Sequence, residues 1–282
     1  MEGRAAAPAA GTVVNALANG YGAAFAIDAH VSATVDLDDS GSVTGAVADS
    51  PDADTRLIER CVEVVVERVG DGEGGRVRTE SDVPMAAGLK SSSAAANATV
   101  LSTLDALDAG EALDRVEACR LGVRAARDVG VTVTGAFDDA SASMLGGVTV
   151  TDNADDELLR RDERDWDVVV YTPAERALSA EADVERCERV ASIADVASDL
   201  AREGDYERAM GVNGLAFCAA LDYPTGPIVE ALPEAAASLS GTGPSYTAVG
   251  DRETLESLRQ RWAEREGDTW LTTTQRTGAR IE

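Results

Sequence analysis

Four stretches of this chain are almost free of charge, and they constrain the fold more than any local pattern does. Ala5–Ile27 has no charged residue, Val83–Leu104 only Lys90, Val129–Thr151 only Asp138 and Asp139, and Pro233–Gly250 only Glu234. Elsewhere the chain is densely acidic: 51 Asp and Glu face 25 Lys and Arg, for a formal net charge of -26. Ionised groups avoid the core and crowded sites unless they find partners there. The four stretches are therefore expected inside, with surface helices between them. Adjacent acids are common in this chain, as at Asp38–Asp39 and Asp155–Asp156. Asp138 and Asp139 differ because in an uncharged segment a carboxylate needs a cation, a metal or a chemical role.

Lys90 is the only lysine in 282 residues and lies in PMAAGLKSSSAAAN, Pro84–Asn97. Ahead of it Gly75–Thr79 reads as a short strand, and behind it Ser91–Leu107 reads as a helix with apolar residues on one side. A strand, a flexible turn and a helix start suit a phosphate, because the first helical turn has unpartnered N–H groups and a partial positive charge. Gly88 allows close backbone approach, Lys90 adds a full charge, and Ser91, Ser92 and Ser93 offer hydroxyls to phosphate oxygens or to Mg²⁺. Taken alone, GLKSS is explained equally well as a serine cap after an ordinary glycine turn. The Walker A pattern G-x-x-x-x-G-K-[ST] does not occur.

The acidic balance argues against nucleic acid or an anionic membrane as a partner. With lysine nearly absent and alanine abundant, it fits a surface adapted to a salt-rich cytoplasm, where carboxylates stay hydrated and salt screens their repulsion. Cys61, Cys119, Cys187 and Cys218 are widely spaced, with no C-x-x-C, and are expected as buried free thiols. His30, the sole histidine, sits in an alternating apolar run as a packed or strand-surface residue, which leaves Ser-His-Asp and Cys-His chemistry little to build on. No apolar run is long enough to span a bilayer, and MEGRAAAPAAG lacks a signal peptide. The expectation is a soluble cytoplasmic protein.

In chain order, Ala5–Ile27 predicts a strand, a loop around Asn15–Gly22 and a second strand continuing with period two through AIDAHVSATVDL. The glycines and asparagines suit a loop crossing a ligand, or equally a plain hairpin. Ser42–Ala48 extends the sheet, and Ala53–Val69 is an amphipathic helix stopping at Gly70. Glu111–Val129 predicts a helix bearing Arg115, Arg120, Arg124 and Arg127, of which those at three- and four-residue spacing share a face, to pair with surface acids or to meet an anionic substrate. TGAFDDASASMLGG reads as a turn, a small-residue helix and a glycine pair. The charged run Thr151–Asp165 is expected as the loop between two halves, followed by a strand over Trp166–Tyr171. Helices are expected over Asp183–Arg202, Asp205–Leu221, Gly226–Ala235 and Arg252–Arg265, with a glycine turn SGTGPS, a strand YTAVG and a last strand at Trp270–Thr274. The class is α+β.

PMAAGLKSSSAAAN, TGAFDDASASMLGG and SGTGPS, in that order and preceded by the Asn15–Gly22 loop, resemble the GHMP kinase superfamily of galactokinase, homoserine kinase and mevalonate kinase, over nearly the whole chain. GLKSSSA, the N-terminal AAGTVVNALANGYGAAF and TGAFDDASAS look like the archaeal type of shikimate kinase within it. The resemblance implies a ribosomal-S5-like half over 1–155, a ferredoxin-like half over 156–282, and an active site between them. It implies transfer of the γ-phosphoryl of ATP to the 3-hydroxyl of shikimate, with Mg²⁺ as cofactor.

By motif position, Pro84, Met85, Ala86, Ala87, Gly88, Leu89, Lys90, Ser91, Ser92 and Ser93 would wrap the triphosphate, with Ser92 as a Mg²⁺ ligand and Gly241 and Gly243 supporting from SGTGPS. Counting back from Gly146–Gly147 makes Asp139 the catalytic aspartate; counting forward from Gly135 makes it Asp138. Asp139 is preferred. Two departures stand out. Tyr21 occupies the place where many relatives carry a loop lysine, leaving that charge to Lys90 or an arginine, and the acidic Mg²⁺ ligand falls at Asp128 by spacing alone. Arg4, Arg120 and Arg124 are candidates for the shikimate carboxylate. The alternatives are a kinase for another small alcohol, such as homoserine or mevalonate, and a non-catalytic binder on the same fold.

Overall fold

The computed structural model describes residues 1–48, 50–83, 87–132, 135–174 and 183–282. Among these, two antiparallel-rich sheets organise the chain. The first contains β1 (Glu2–Val14), β2 (Tyr21–Asp38), β3 (Val43–Val47), β4 (Gly74–Ser81), β5 (Val148–Asp152), β6 (Glu157–Asp162) and β11 (Arg280–Ile281), in the order β11-β1-β2-β4-β3, with β5 on β2 and β6 on β5. The second contains β7 (Asp167–Pro173), β8 (Ala236–Leu239), β9 (Tyr246–Gly250) and β10 (Gly267–Thr273), in the order β10-β7-β9-β8.

β2 holds the first sheet together because it is 18 residues long and serves different neighbours at its two ends. Tyr21–Phe25 pairs with β5, whereas Val31–Asp38 pairs with β4. From Asp28 onward its side chains alternate between buried and partly exposed, the pattern of a strand with one covered face. His30 lies on the partly exposed face, its Nε2 3.3 Å from Arg280 of β11. The covered face carries α1 (Arg56–Val69), α2 (Ser91–Ala106), α3 (Arg115–Val129) and α4 (Phe137–Leu145).

Helix boundaries follow local chemistry. α3 starts at a reciprocal cap, in which Asp114 accepts from the N–H groups of Val116 and Glu117 while Glu117 accepts from the N–H of Asp114. α2 has no amphipathic stripe: its small residues are buried almost all round, from Ala94 to Ala106, because it lies between the sheet and the other helices. Ser102 Oγ of α2 donates to the Gly3 carbonyl of β1 at 2.7 Å.

The second sheet is backed by α5 (Val184–Glu188), α6 (Ala191–Glu203), α7 (Tyr206–Leu221), α8 (Gly226–Ala231) and α9 (Arg252–Trp262). Phe25, Ile27 and Val148 of the first sheet pack with Val168, Val170, Tyr206 and Met210 of the second unit, so one apolar core joins the halves. All four cysteines are buried and free, as expected. Among the described residues no helix is long and apolar enough to cross a membrane.

Two sequence expectations change. The charged run after Thr151 is not simply a loop: Glu157–Asp162 forms β6 on the sheet edge, where solvent accommodates charges on both faces. The boundary placed at 155/156 therefore falls just before a strand of the first sheet, and the chain crosses to the second sheet between Asp162 and Asp167. The helix expected over 183–202 is two, α5 and α6, separated at Arg189 and Val190.

Candidate active site

The four charge-poor stretches meet at one cleft. The first brings Asn15, Ala16 and Leu17; the second Gly88, Lys90 and Ser91–Ser93; the third Gly135, Ala136, Asp138 and Asp139; the fourth Gly241 and Thr242. Leu57 of α1, Gly122, Val123 and Ala126 of α3, and Val131 beyond it add an apolar wall. The cleft encloses a cavity of about 120 Å³ and opens to solvent.

The turn before α2 is built from both halves of the molecule. Leu89 is buried and its carbonyl accepts from Ala10 N at 3.1 Å, while Ser240 Oγ donates to the Gly88 carbonyl at 2.8 Å. Gly88 has φ +77°, and a Cβ there would stand 2.4 Å from the Ser240 carbonyl oxygen, so only glycine lets the two turns touch. Lys90 takes the N-cap position of α2 with φ 63° and ψ 27°, the left-handed region that costs a side-chain-bearing residue about 1 kcal/mol. No side chain caps this helix. The three serines of its first turn, whose N–H groups have no partner within the helix, line the cleft.

The second glycine turn is anchored by a buried amide network. Asn15 Nδ2 donates to the Gly241 carbonyl at 2.8 Å, Gly241 N donates to Thr12 Oγ1 at 2.8 Å, and Asn15 N donates to Asn213 Oδ1 at 2.8 Å. Asn213 Nδ2 reaches Ser238 Oγ at 2.9 Å. The loop after β1, the β8–β9 turn and α7 are thus fixed to one another.

α4 presents its two acids to the same cleft but holds them differently. Asp139 Oδ1 lies 2.7 Å from Lys90 Nζ, with only 7% of the lysine side chain and 14% of the aspartate exposed. Burial first, and the neighbouring Asp138 carboxylate second, raise the pKa of Asp139; Lys90 opposes them, and the balance leaves it at about 7. Asp138 is buried and is gripped by Asn153, whose Nδ2 donates to Asp138 Oδ1 at 2.7 Å. A carboxyl poised near neutrality beside an ammonium and a helix start can orient or accept a proton while phosphate charge is neutralised next to it.

Of the residues singled out from sequence, Gly88, Lys90, Ser91, Ser92, Ser93, Asp138, Asp139 and Gly241 line the cleft. Ala87 and Leu89 are buried behind it. Gly243 faces the Tyr223 ring rather than the cleft. Pro84, Met85 and Ala86 lie outside the described residues.

Asp128 does not reach the site. It is on the outer side of α3, held by Arg60 at 2.8 Å and by Arg124 at 3.9 Å, because two positions beyond the cleft-lining Ala126 a helix has turned its side chain to the opposite face. Among the described residues no group of three or more His, Cys, Asp or Glu is arranged to hold a metal. The candidate arginines are also engaged elsewhere: Arg4 with Glu2, Arg120 with the Asp156 carbonyl, Arg124 with Glu67. Tyr21, at the position of the missing loop lysine, lies beneath the Arg202 guanidinium at 3.9 Å. Sequence reasoning missed Asn153 and Asn213, neutral amides that carry no periodic or charge signal.

The GHMP kinases N terminal domain family matches residues 56–147. A shikimate kinase of Halobacterium salinarum is 64% identical over 282 residues, covering 99% of both chains, and a shikimate kinase of Methanosarcina mazei is 50% identical over 265 residues, covering 93% of this chain and 90% of the relative. The crystal structure of homoserine kinase from Cytophaga hutchinsonii superposes with a TM-score of 0.74 at 14% identity, covering 100% of this chain and 97% of the other, and shares the fold. The α+β GHMP kinase fold expected from the motifs is therefore the fold of this protein, and the chain belongs to the archaeal shikimate kinases of the GHMP kinase superfamily.

Proposed function

We propose that this cleft transfers the γ-phosphoryl group of ATP to the 3-hydroxyl of shikimate, giving shikimate 3-phosphate and ADP. The observation that carries the reading is the Lys90–Asp139 pair, set where the starts of two helices meet one cleft. The acceptor oxygen bonds to the γ-phosphorus as the bond to the β–γ bridging oxygen breaks, and ADP leaves with that electron pair. Asp139 orients the acceptor hydroxyl and takes its proton. Lys90 and the open N–H groups of α2 neutralise charge on the phosphoryl oxygens, the main source of acceleration in such transfers. The apolar wall of Leu57, Val123, Ala126 and Val131 suits a flat base.

The protein donors fit a Mg²⁺ ion held mostly through nucleotide and water, since they offer the Ser92 hydroxyl and no acidic cage among the described residues. When bound there, Mg²⁺ would draw charge from the phosphate oxygens. ADP release in molar KCl with Mg²⁺ and ATP, compared across shikimate, homoserine and mevalonate, tests the reading. Turnover with shikimate alone is expected. Turnover only with another alcohol overturns the substrate, and ATP binding without turnover on any of them overturns the activity.

A further inference from the structure

Asn153, just beyond β5, is 3% exposed and joins three parts of the site. Its Oδ1 accepts from Asp138 N at 3.1 Å and from Thr151 Oγ1 at 2.8 Å, while its Nδ2 donates to Asp138 Oδ1 at 2.7 Å. With two donors on one side and a carboxylate on the other, only one orientation of the amide satisfies the set. Its main chain is tied as well: its N donates to the Gly20 carbonyl at 2.9 Å, and its carbonyl accepts from Arg127 Nη2 at 3.2 Å.

These bonds do for α4 what its own N-cap cannot. Ala136 sits at that position with φ 50° and has no side-chain acceptor, so an amide from the turn after β5 caps the first turn. On the other side of Asp138 the backbone of β2 closes in: a Cβ on Gly22 would lie 2.5 Å from the Asp138 carboxyl carbon. Asp138 is clamped between Asn153 and Gly22. Because Asp138 and Asp139 are successive residues of one helical turn, fixing the first fixes the direction of the second.

We propose that Asn153 is a positioning residue, which by clamping Asp138 sets the rotation of the first turn of α4 and so aims Asp139 at Lys90 and the acceptor hydroxyl. The proposal rests on Asp139 being the carboxylate that meets that hydroxyl, and it assigns the adjacent acids distinct tasks: Asp138 anchors and Asp139 acts.

The test is steady-state kinetics on Asn153→Ala, Asp138→Ala and the double variant, with Gly22→Ala as a push on Asp138 from the opposite side. Misplacing a reacting group by about an ångström costs up to about a hundredfold, so Asn153→Ala should lower kcat on the order of tenfold to a hundredfold with KM for ATP unchanged. Gly22→Ala should show the same split. The double variant should lose less than the product of the two single losses, because both single variants remove the same Asn153–carboxylate bond while the cap on the backbone N of residue 138 is lost only with Asn153. Losses that multiply, a raised KM at normal kcat, or normal kcat in Asn153→Ala overturn the proposal. If Asn153→Ala does not fold, Gly22→Ala and Asp138→Ala decide by the same split. Asp139→Asn, measured alongside, separates the readings: full activity there removes the underlying mechanism, whereas an inactive Asp139→Asn beside a normal Asn153→Ala removes this proposal alone.

Discussion

Two ion-pair regions on the same helical layer have nearly equal geometry and opposite physical character. On the outer side of α1 and α3, Arg60 reaches Glu67 at 2.6 Å, Asp128 at 2.8 Å and Glu63 at 3.0 Å, with Arg124 on Glu67 at 2.9 Å. In the cleft, Lys90 meets Asp139 at 2.7 Å. The outer carboxylates are about 38–47% exposed, so water and salt share the load. Glu67 lies below its ordinary pKa, chiefly through its hydrogen bond from Arg60, whereas burial pushes Asp139 up. The same distance stabilises a charge in one place and leaves it poised to change in the other. Arginine, with its rigid fork, is used on the network; the single compact ammonium is kept for the cleft.

The contrast breaks first in activity. Asp139→Asn should reduce turnover by about 10²–10⁴-fold while calorimetry still records ATP binding, and Lys90→Met should lower kcat on the order of a hundredfold. Near-normal turnover in either would make the inner pair as ordinary as the outer. An inactive Asp138→Asn beside an active Asp139→Asn would exchange the tasks of the two acids.

Stability gives the next effect. Removing one partner of a buried pair costs about 3–5 kcal/mol, so Lys90→Met should lower Tm clearly at pH 8 and less at pH 6, where the orphaned carboxyl can take up a proton. Lys90→Met combined with Asp139→Asn should recover most of that Tm and none of the activity. Failure to recover would show that the loss came from packing rather than from an unpaired charge.

The pH dependence sharpens the comparison further. Because Asp139 is raised to about 7, the folded protein holds that proton more tightly than the unfolded chain does. Its stabilising contribution is complete below the unfolded value of about 3.9 and is lost as pH rises through about 7. Denaturation series at pH 5 and pH 8 should differ less in Asp139→Asn than in the parent, and kcat should rise with an acid limb near neutrality. Arg60→Ala should have the smallest effect: about 1 kcal/mol or less for each exposed pair, no change in kcat, and a deficit that shrinks toward molar KCl as screening removes what the pairs supplied. The parent should itself gain Tm with KCl, because salt screens the repulsion among its excess carboxylates.

Much of this contrast was legible in the chain because charge is the loudest signal in so acidic a sequence. Where charge vanished, the fold placed interior, and all four such stretches converge on the cleft. Lys90, Asp138 and Asp139 stood out for the same reason. Asp128 was placed by its distance in sequence from Asp139, a count that ignores which face of α3 its carboxylate takes, and the structure pairs it with Arg60; Arg124 meets a surface acid, the commoner use of a guanidinium in this chain. β6 was hidden by charges that a sheet edge tolerates. Asn153 and Asn213 were invisible: an amide in a charged loop or an apolar helix breaks no pattern, and its role exists only once distant elements have met.

The solitary lysine has one more consequence. Its Nζ is the only side-chain amine of the protein, and it lies at the cleft with 7% of the side chain exposed. Reagents that acylate amines, which on most proteins modify dozens of surface positions, would here have a single side-chain target, so the rate of that one modification becomes a direct chemical gauge of whether the cleft is filled.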